Sequence, residues 1–270
     1  MVGFFIFLLG LVVGSFINVL IYRLPRNLGF VWEGSRCTKC RHLLSWLDLF
    51  PVFSFLFLKG KCRYCQKKIS FRYPLVEFLA GASFFVLFLL NKPFGAYDWA
   101  IFAIWAGIIA LLLVLVFIDF EHFVIPDRIL IALGLMAVAS AVIQGVIQGS
   151  SLDGSLYGGS LWHNILTGVV SALFFFIIYL VSRGKAIGLG DVKLTFVLGF
   201  LFGFPGVLIV IYGALAAGTL WGIILILFFG ARLKTKIPFG TVLGAVSIIF
   251  ILLNKILIPV LLPYIFHFYI

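Results

Sequence analysis

Two aspartates, Asp119 and Asp191, draw attention because each lies at the edge of a long apolar run. Asp191 belongs to the stretch Gly-Leu-Gly-Asp-Val-Lys that begins at Gly188, and Asp119 ends the run that begins at Trp99. A carboxylate at mid-membrane depth costs about 2.5–3.5 kcal/mol or more, so an acidic residue in such a segment is by default a functional-site hypothesis. The flanking glycines allow another backbone to come close.

Helix capping is the simpler explanation for some of these acidic residues. Asp191 could N-cap the helix that follows it, with the glycines forming the entry turn. Asp127 follows Pro126 and precedes an apolar run, so we interpret it as a helix cap. Capping does not explain Asp119, because a carboxylate at a helix C-terminus opposes the helix macrodipole.

The order of the apolar runs predicts that Asp119 and Asp191 meet. Asp119 ends an inward-going helix, Asp191 begins an outward-going one, and two crossings separate them, so both lie at the same membrane face. Two carboxyls in contact cannot both stay ionised and therefore share a proton. The ionised member can take a proton from water while the protonated member polarises a carbonyl, which favours peptide hydrolysis by general acid–base catalysis.

Other polar residues in the apolar runs have structural interpretations. Gly14, Ser15 and Asn18 share one face of the first helix by their spacing, and such small and polar residues indicate helix packing. Glu77 is expected in the first turn of a helix, where its charge complements the macrodipole. The sequence contains no H-E-x-x-H motif, no Ser/His/Asp set, and too few histidines for a catalytic metal in the membrane.

The four cysteines form two C-x-x-C pairs in one basic segment; they are Cys37, Cys40, Cys62 and Cys65. This pattern predicts a four-thiolate zinc site, and a cytoplasmic location would keep the thiols reduced. Two disulfides on an outward loop, or a redox C-x-x-C, are the alternatives. No thioredoxin-like pattern surrounds either pair.

The composition identifies a membrane protein. Of the 270 residues, 64% are hydrophobic and 11% are charged, which exceeds what a soluble domain of this size could bury. Several runs reach the roughly 18–20 apolar residues that cross a bilayer as a helix. Continuous runs without alternation exclude a barrel, so the predicted fold class is an all-α polytopic membrane protein with about eight transmembrane helices.

The expected domains are a first transmembrane helix at 1–22, a cytoplasmic zinc-binding segment at 23–73 and a transmembrane bundle carrying the peptidase site at 74–270. The predicted spans cover 3–22, 74–90, 99–118, 128–146, 161–181, a short sixth span ending near Phe204, a seventh ending near Phe229, and a last one from Pro238. An outer loop is predicted at 149–160 and an inner loop at Arg232, Lys234 and Lys236. The tail after Lys255 either completes the last span or lies in the outer interface.

Basic residues set the orientation of these spans. The net charge is +11, and eleven of the twenty Lys and Arg residues fall between Arg23 and Arg72. With both termini outside, all but Lys92 and Lys255 lie at the inner face, as the positive-inside rule requires. This distribution predicts anionic lipid as a neighbour and excludes nucleic acid as a partner.

Five motifs give the chain a resemblance to the type IV prepilin peptidases, which are membrane aspartic proteases. They are Gly14-Ser15-Phe16-x-Asn18-Val19, the two C-x-x-C pairs around a Ser-Trp…Pro stretch, Arg72-Tyr73-Pro74-Leu75-Val76-Glu77, Ile118-Asp119 with Ile125-Pro126-Asp127, and Gly188-Leu189-Gly190-Asp191-Val192-Lys193. These motifs cover nearly the whole chain in order. The Thr of Ile237-Pro238-Phe239-Gly240-Thr241 replaces a Pro that the family often has.

The resemblance implies a bifunctional enzyme of the bacterial inner membrane. Such enzymes cut the basic leader of prepilins or pseudopilins at the cytoplasmic face and then N-methylate the new N-terminus with S-adenosylmethionine. By the motif match, Asp119 and Asp191 would be the catalytic pair and the four cysteines the zinc ligands. The match assigns no residues to the methyl donor, for which Glu77 is a candidate.

Two other functions compete with this interpretation. A G-x-G-D intramembrane protease could cut unrelated membrane substrates, although it would not need the zinc segment. A transporter or scaffold could use the aspartates to carry protons or ions. Transporters place such groups at the midplane of broken helices, whereas both aspartates map to the inner face.

Overall fold

The structure is a computed structural model that describes residues 1–29, 34–147, 161–230 and 237–266. Within these ranges the chain is all-helical, as predicted, with two isolated β-bridges and no strand. The α-helices are α1 (Val2–Arg23), α2 (Phe53–Phe57), α3 (Arg72–Asn91), α4 (Ala96–His122), α5 (Asp127–Ile147), α6 (Leu161–Ser182), α7 (Leu189–Phe229) and α8 (Phe239–Phe266). Two short 3₁₀ helices cover Leu24–Arg26 and Trp46–Leu49.

Five of the described helices are long and apolar enough to cross a membrane, which confirms the membrane class. They are Val2–Arg26, Arg72–Asn91, Ala96–His122, Leu161–Ser182 and Leu189–Phe228. A shorter apolar helix covers Phe239–Asn254, and α8 continues to Phe266, so the tail after Lys255 belongs to the last helix. The predicted loops at 149–160 and 231–236 lie outside the described residues.

The predicted sixth and seventh spans are the two arms of α7. The helix is interrupted at Gly203 (φ 60°, ψ −177°) and Phe204 (φ −91°, ψ 135°), directly before Pro205. A side chain at Gly203 would be strained by the positive φ, and its Cβ would lie 2.9 Å from Oδ1 of Asn164. The sixth span therefore ends where the sequence places its end.

The two arms of α7 fold back on each other. Val192 in the first arm and Ile211 in the second belong to the same apolar cluster as Phe175 of α6. On an uninterrupted helix these two residues would lie about 28 Å apart, too far for one cluster. The interruption thus turns a helix too long for one crossing into a hairpin.

The chain forms two compact units, Met1–Val114 and Leu115–Ile270. In the first unit, α1 packs closely against α3. A Cβ built on Gly10 would lie 2.7 Å from the Cα of Gly81, and one built on Gly14 would lie 2.6 Å from the Cα of Glu77, so only glycine fits at these positions. Helix packing by the small residues of α1, which the sequence predicts, is therefore present.

In the second unit, α6 and the first arm of α7 cross at two glycines. A Cβ built on Gly199 would lie 2.8 Å from the Cα of Gly168 and 3.1 Å from the carbonyl oxygen of Thr167. Backbone atoms cannot move aside as a flexible side chain can. This crossing therefore fixes the separation of α6 from the helix that carries Asp191.

We expect Gly199→Ala to lower the unfolding free energy by about 1–3 kcal/mol, because the added methyl forces these backbones apart. Gly134→Ala in α5 is the matched control, since its Cβ would meet nothing within 4 Å. Thermal unfolding of both variants in the same detergent measures the difference. Equal stability of the two variants would contradict the close crossing.

Candidate active site

Three helix ends converge in the second unit. Asp119 lies in the last turn of α4 and is buried. Asp191 lies in the first turn of α7, and Thr241 lies in the first turn of α8. Asp119 is close enough to Asp191 for its charge to act on that carboxyl. The structure therefore brings together the two acidic residues that the order of the helices pairs.

Asp119 is held by the N-terminus of α8. Its Oδ2 accepts a hydrogen bond of 2.6 Å from the Thr241 amide and one of 3.0 Å from the Thr241 hydroxyl. The hydroxyl also lies 3.3 Å from the carbonyl oxygen of Val116 in α4. The unpaired amides of a helix N-terminus favour negative charge, which offsets the unfavourable position of Asp119 at the C-terminus of α4.

Asp191 is held by its own helix and by α8. Its Oδ2 accepts a hydrogen bond of 3.1 Å from the Gly188 amide, and the Gly240 amide also donates to its carboxyl. Gly188 is the N-cap of α7, so Asp191 occupies the third helical position. The interpretation of Asp191 as the N-cap is therefore wrong in position, although the carboxyl does reach back to the cap amide as in a capping box.

The consecutive amides of Gly240 and Thr241 thus each donate a hydrogen bond to a different aspartate. Glycine is needed at position 240, because a Cβ there would lie 2.7 Å from Cδ1 of Ile125 and 3.0 Å from Oδ2 of Asp119. A Cβ on Gly190 would lie 3.0 Å from Cβ of Ile125. The Ile125 side chain therefore fills the space between these two glycines.

Asp127 and Lys193 connect the two aspartate motifs at the surface. The Lys193 ammonium donates to Oδ1 of Asp127 over 2.7 Å, and both side chains are exposed. An exposed ion pair of this kind contributes about 0–1 kcal/mol. Asp127 is the first helical residue of α5, one position past the cap, so the interpretation of Asp127 as the cap is wrong in position. Its carboxylate instead pairs with Lys193, which was not foreseen from the sequence.

The four cysteines lie together in the first unit. Their Sγ atoms all lie within 4.8 Å of one another, with Cys37 and Cys65 at 4.0 Å, and all four are free thiols. Tetrahedral Zn–S bonds of about 2.3 Å separate sulfur atoms by roughly 3.8 Å, so the cluster fits this metal. Burial raises the pKa of the Cys37 thiol, but the amides of Cys40 and Lys39 and neighbouring thiols lower it to about 7.

The two cysteine loops have the same backbone structure. In the first, the Cys37 amide donates to the His42 carbonyl over 3.0 Å, and the Arg41 amide donates to the Cys37 carbonyl over 2.9 Å. The loop that begins at Cys62 repeats both bonds at the same lengths. Arg41 and its counterpart Gln66 both have positive φ. This local repeat was missed in the sequence because few side chains other than the cysteines are shared.

Asp48 links the two cysteine loops. It accepts hydrogen bonds from the Ser45 amide and hydroxyl, which follow the first loop, and from the Tyr64 hydroxyl of the second. Nε of Arg63 lies 3.0 Å from its other oxygen. Burial raises the pKa of the Asp48 carboxyl, but the Ser45 hydrogen bonds, the Arg63 charge and the Tyr64 hydroxyl outweigh it and lower that pKa below its usual value.

Glu77 is placed differently from the sequence expectation. It lies beyond the first turn of α3 and is buried, so the helix-dipole interpretation is wrong. Its Oε2 accepts a hydrogen bond of 2.7 Å from the Val52 amide, and the Ser15 hydroxyl also bonds its carboxyl. Val52 has a positive φ of 61°, which is rare for a β-branched residue.

Comparison with known proteins covers most of the chain. Residues 8–91 match the bacterial peptidase A24 N-terminal domain, and residues 106–223 match the type IV leader peptidase family. Both catalytic candidates lie within the second match.

Proteins named prepilin leader peptidase/N-methyltransferase are among the relatives. The Myxococcus xanthus protein is 34% identical over 231 residues, which are 84% of this chain and 64% of that protein. The Bacillus subtilis protein is 30% identical over 245 residues, 90% of this chain and 91% of that protein. The Dichelobacter nodosus protein is 31% identical over an alignment of 269 residues, which covers 89% of this chain and 88% of that protein.

No solved structure matches the chain. The two domain matches lie in the same order as the motifs, and the relatives cover both of them. The chain belongs to the type IV leader peptidase family.

Proposed function

We propose that this protein is a membrane aspartic endopeptidase that removes the leader peptide of prepilins or pseudopilins and N-methylates the new N-terminus. The observation that carries the peptidase is the pair of carboxyls, Asp119 and Asp191, on successive amides at one helix N-terminus. The names of the relatives supply the substrate class and the methylation. The basic segment 23–73 supports a cytoplasmic location for the cysteine cluster.

The two carboxyls divide the chemistry of hydrolysis between them. Both Thr241 hydrogen bonds fall on Oδ2 of Asp119, so Oδ1 accepts neither of them, and we assign it to the reacting water. The ionised member of the pair removes a proton as the water attacks the peptide carbonyl, while the protonated member donates to the carbonyl oxygen. Collapse of the tetrahedral intermediate breaks the C–N bond as a proton passes to the leaving amine, without a covalent enzyme intermediate.

The cysteine cluster is proposed to hold a structural zinc ion. Its four thiolates would complete the tetrahedral shell and leave no open position for a substrate. S-adenosylmethionine is the proposed methyl donor, and its methyl group would be transferred to the free amine of the cleaved product.

Neutralising either aspartate should abolish cleavage of a prepilin. We expect Asp119→Asn and Asp191→Asn each to reduce the rate at least about 100-fold, because the amide can neither accept nor donate the proton. The measurement is the gel-mobility shift of a prepilin incubated with the purified protein. Asp127→Asn is the control and should lose less than about fivefold, since its ion pair is exposed.

Full cleavage by either catalytic variant would refute the paired-carboxyl mechanism. Equal cleavage of an unrelated transmembrane substrate by the wild-type protein would instead favour the broader intramembrane protease.

The Thr241 hydroxyl should position Asp119 for this reaction. We expect Thr241→Val, which keeps the shape and the amide, to lower kcat about tenfold or more with little change in KM, because a hydrogen bond to a charged group is lost. Thr241→Ser keeps the hydroxyl and should restore most of the rate. Equal kcat values for the Val and Ser variants would show that the hydroxyl has no role.

Removing a cysteine should disrupt the cytoplasmic segment. We expect Cys40→Ser and Cys62→Ser to lower bound zinc and to increase proteolysis within 23–73, because a structural metal stabilises the fold that binds it. Cleavage should survive better than methylation in both variants. Metal analysis of the wild-type protein that finds no zinc would contradict the zinc assignment.

A further inference from the structure

Glu77 is a buried carboxylate for which the peptidase mechanism has no use. Its side chain lies at the interface of α1 and α3 within the first unit. The Val52 amide and the Ser15 hydroxyl that bond it are both neutral donors. Among the residues that the structure describes, no ion pair includes Glu77. A buried acidic side chain in a membrane helix is a functional-site hypothesis unless its charge is matched.

Asn18 provides a second, independent observation one helical turn away. Its side chain is 3% exposed. Its Nδ2 donates to the carbonyl oxygens of Tyr73, over 3.0 Å, and Gly14, over 3.3 Å, so both amide hydrogens are used. Its Oδ1 is buried and accepts no hydrogen bond in the described structure. Because buried acceptors are nearly always paired, Oδ1 indicates a missing donor.

The packing of α1 against α3 places the Glu77 carboxylate and Asn18 Oδ1 on successive turns of the two helices. Gly14 lies against Glu77, and Asn18 lies against Tyr73, so these two pairs of residues are one turn, or about 5.4 Å, apart along the helices. The Ser15 side chain beside them is partly exposed. The interface therefore offers a negative charge and a neutral acceptor beside a partly exposed residue, Ser15.

A primary ammonium group satisfies both acceptors. It carries one positive charge and three N–H donors, and it has no acceptor of its own. Both reactants of the proposed methyl transfer carry this group before the reaction, because S-adenosylmethionine has an amino-acid ammonium and the cleaved pilin has a free N-terminus. The pilin ammonium must lose one proton to solvent before its nitrogen can accept the methyl group. Methyl transfer is also the half of the proposed function to which no residue has been assigned.

We propose that Glu77 and Asn18 bind the ammonium group of a methyl-transfer reactant, with Ser15 and the Val52 amide orienting the Glu77 carboxylate. This inference rests on the proposed N-methyltransferase function. It assigns binding to these residues and no proton-transfer step. The Val52 contact also ties the segment between the two cysteine loops to the site.

The test compares two ligand pairs, and in each pair only one member carries an ammonium group. The first pair is S-adenosylhomocysteine and 5′-methylthioadenosine, which lacks the amino-acid part. The second is a mature-pilin peptide with a free and with an acetylated N-terminus. Binding is measured by calorimetry on the detergent-solubilised protein, so the readout does not depend on turnover.

For the wild-type protein we expect the ammonium-bearing member of one pair to bind about tenfold tighter than its partner. Glu77→Gln keeps the shape and an acceptor oxygen but removes the charge, and it should bring that ratio close to one. Asp98→Asn is the matched control, since Asp98 is an exposed carboxylate in the same unit that also accepts backbone amides, and it should leave the ratio unchanged.

The pair that responds identifies the reactant. Loss of the ratio for the first pair assigns the site to the methyl donor, and loss for the second pair assigns it to the peptide amine. Asn18→Ser, which removes the unpaired carbonyl oxygen, should lower the same ratio about threefold and is the deciding variant if Glu77→Gln does not fold.

Unchanged ratios for both pairs in these variants would overturn the inference. A purely structural role for Glu77 would lower thermal stability without changing either ratio, and this outcome also overturns it. A wild-type protein that neither cleaves nor methylates a prepilin would instead overturn the proposed function, which separates the two failures.

Discussion

The N-terminus of α8 is the physical feature on which the proposed active site depends. Two consecutive amides, those of Gly240 and Thr241, donate to two different carboxyls, Asp191 and Asp119. A helix N-terminus carries a partial positive charge and unpaired N–H groups, both of which stabilise an acidic side chain. Without this helix end, Asp119 would be a buried carboxylate facing the negative end of its own helix.

Close backbone approach makes this arrangement possible. Gly240 has no room for a Cβ between Ile125 and Asp119, and Gly190 has almost none against Ile125. The glycines around Asp191 are therefore explained by packing as much as by turn geometry. Farther along α7, the Gly168–Gly199 crossing holds the same helix against α6. Small residues thus fix the positions of the helix that carries Asp191.

The sequence predicted the pairing of Asp119 with Asp191 because membrane crossings alternate in direction. The interruption near Phe204 was also predictable, since Pro205 precedes a glycine inside an apolar run. Thr241 was noticed only as a departure from the family pattern. Its role as the partner of Asp119 depends on a contact between helices distant in sequence, which no local pattern reports.

The cysteine segment was also predictable only in part from its sequence pattern. The spacing of the thiols predicted their meeting, because a four-thiolate site has a known pattern. The repeated hydrogen bonds of the two loops involve backbone atoms and leave little trace in the residue types. The burial of Glu77 was not predicted, since its position relative to the start of α3 depends on where that helix begins. Helix ends are the least certain features of a sequence-based prediction.

An experimental map of the protein in lipid, detailed enough to show ordered water, is the most direct test of the two carboxyls meeting at the N-terminus of α8. We predict one water molecule in contact with both Asp119 and Asp191, with the amides of Thr241 and Gly240 on the respective carboxyls. Carboxyls on opposite sides of the membrane, or too far apart for one water molecule to touch both, would contradict the pairing of Asp119 with Asp191.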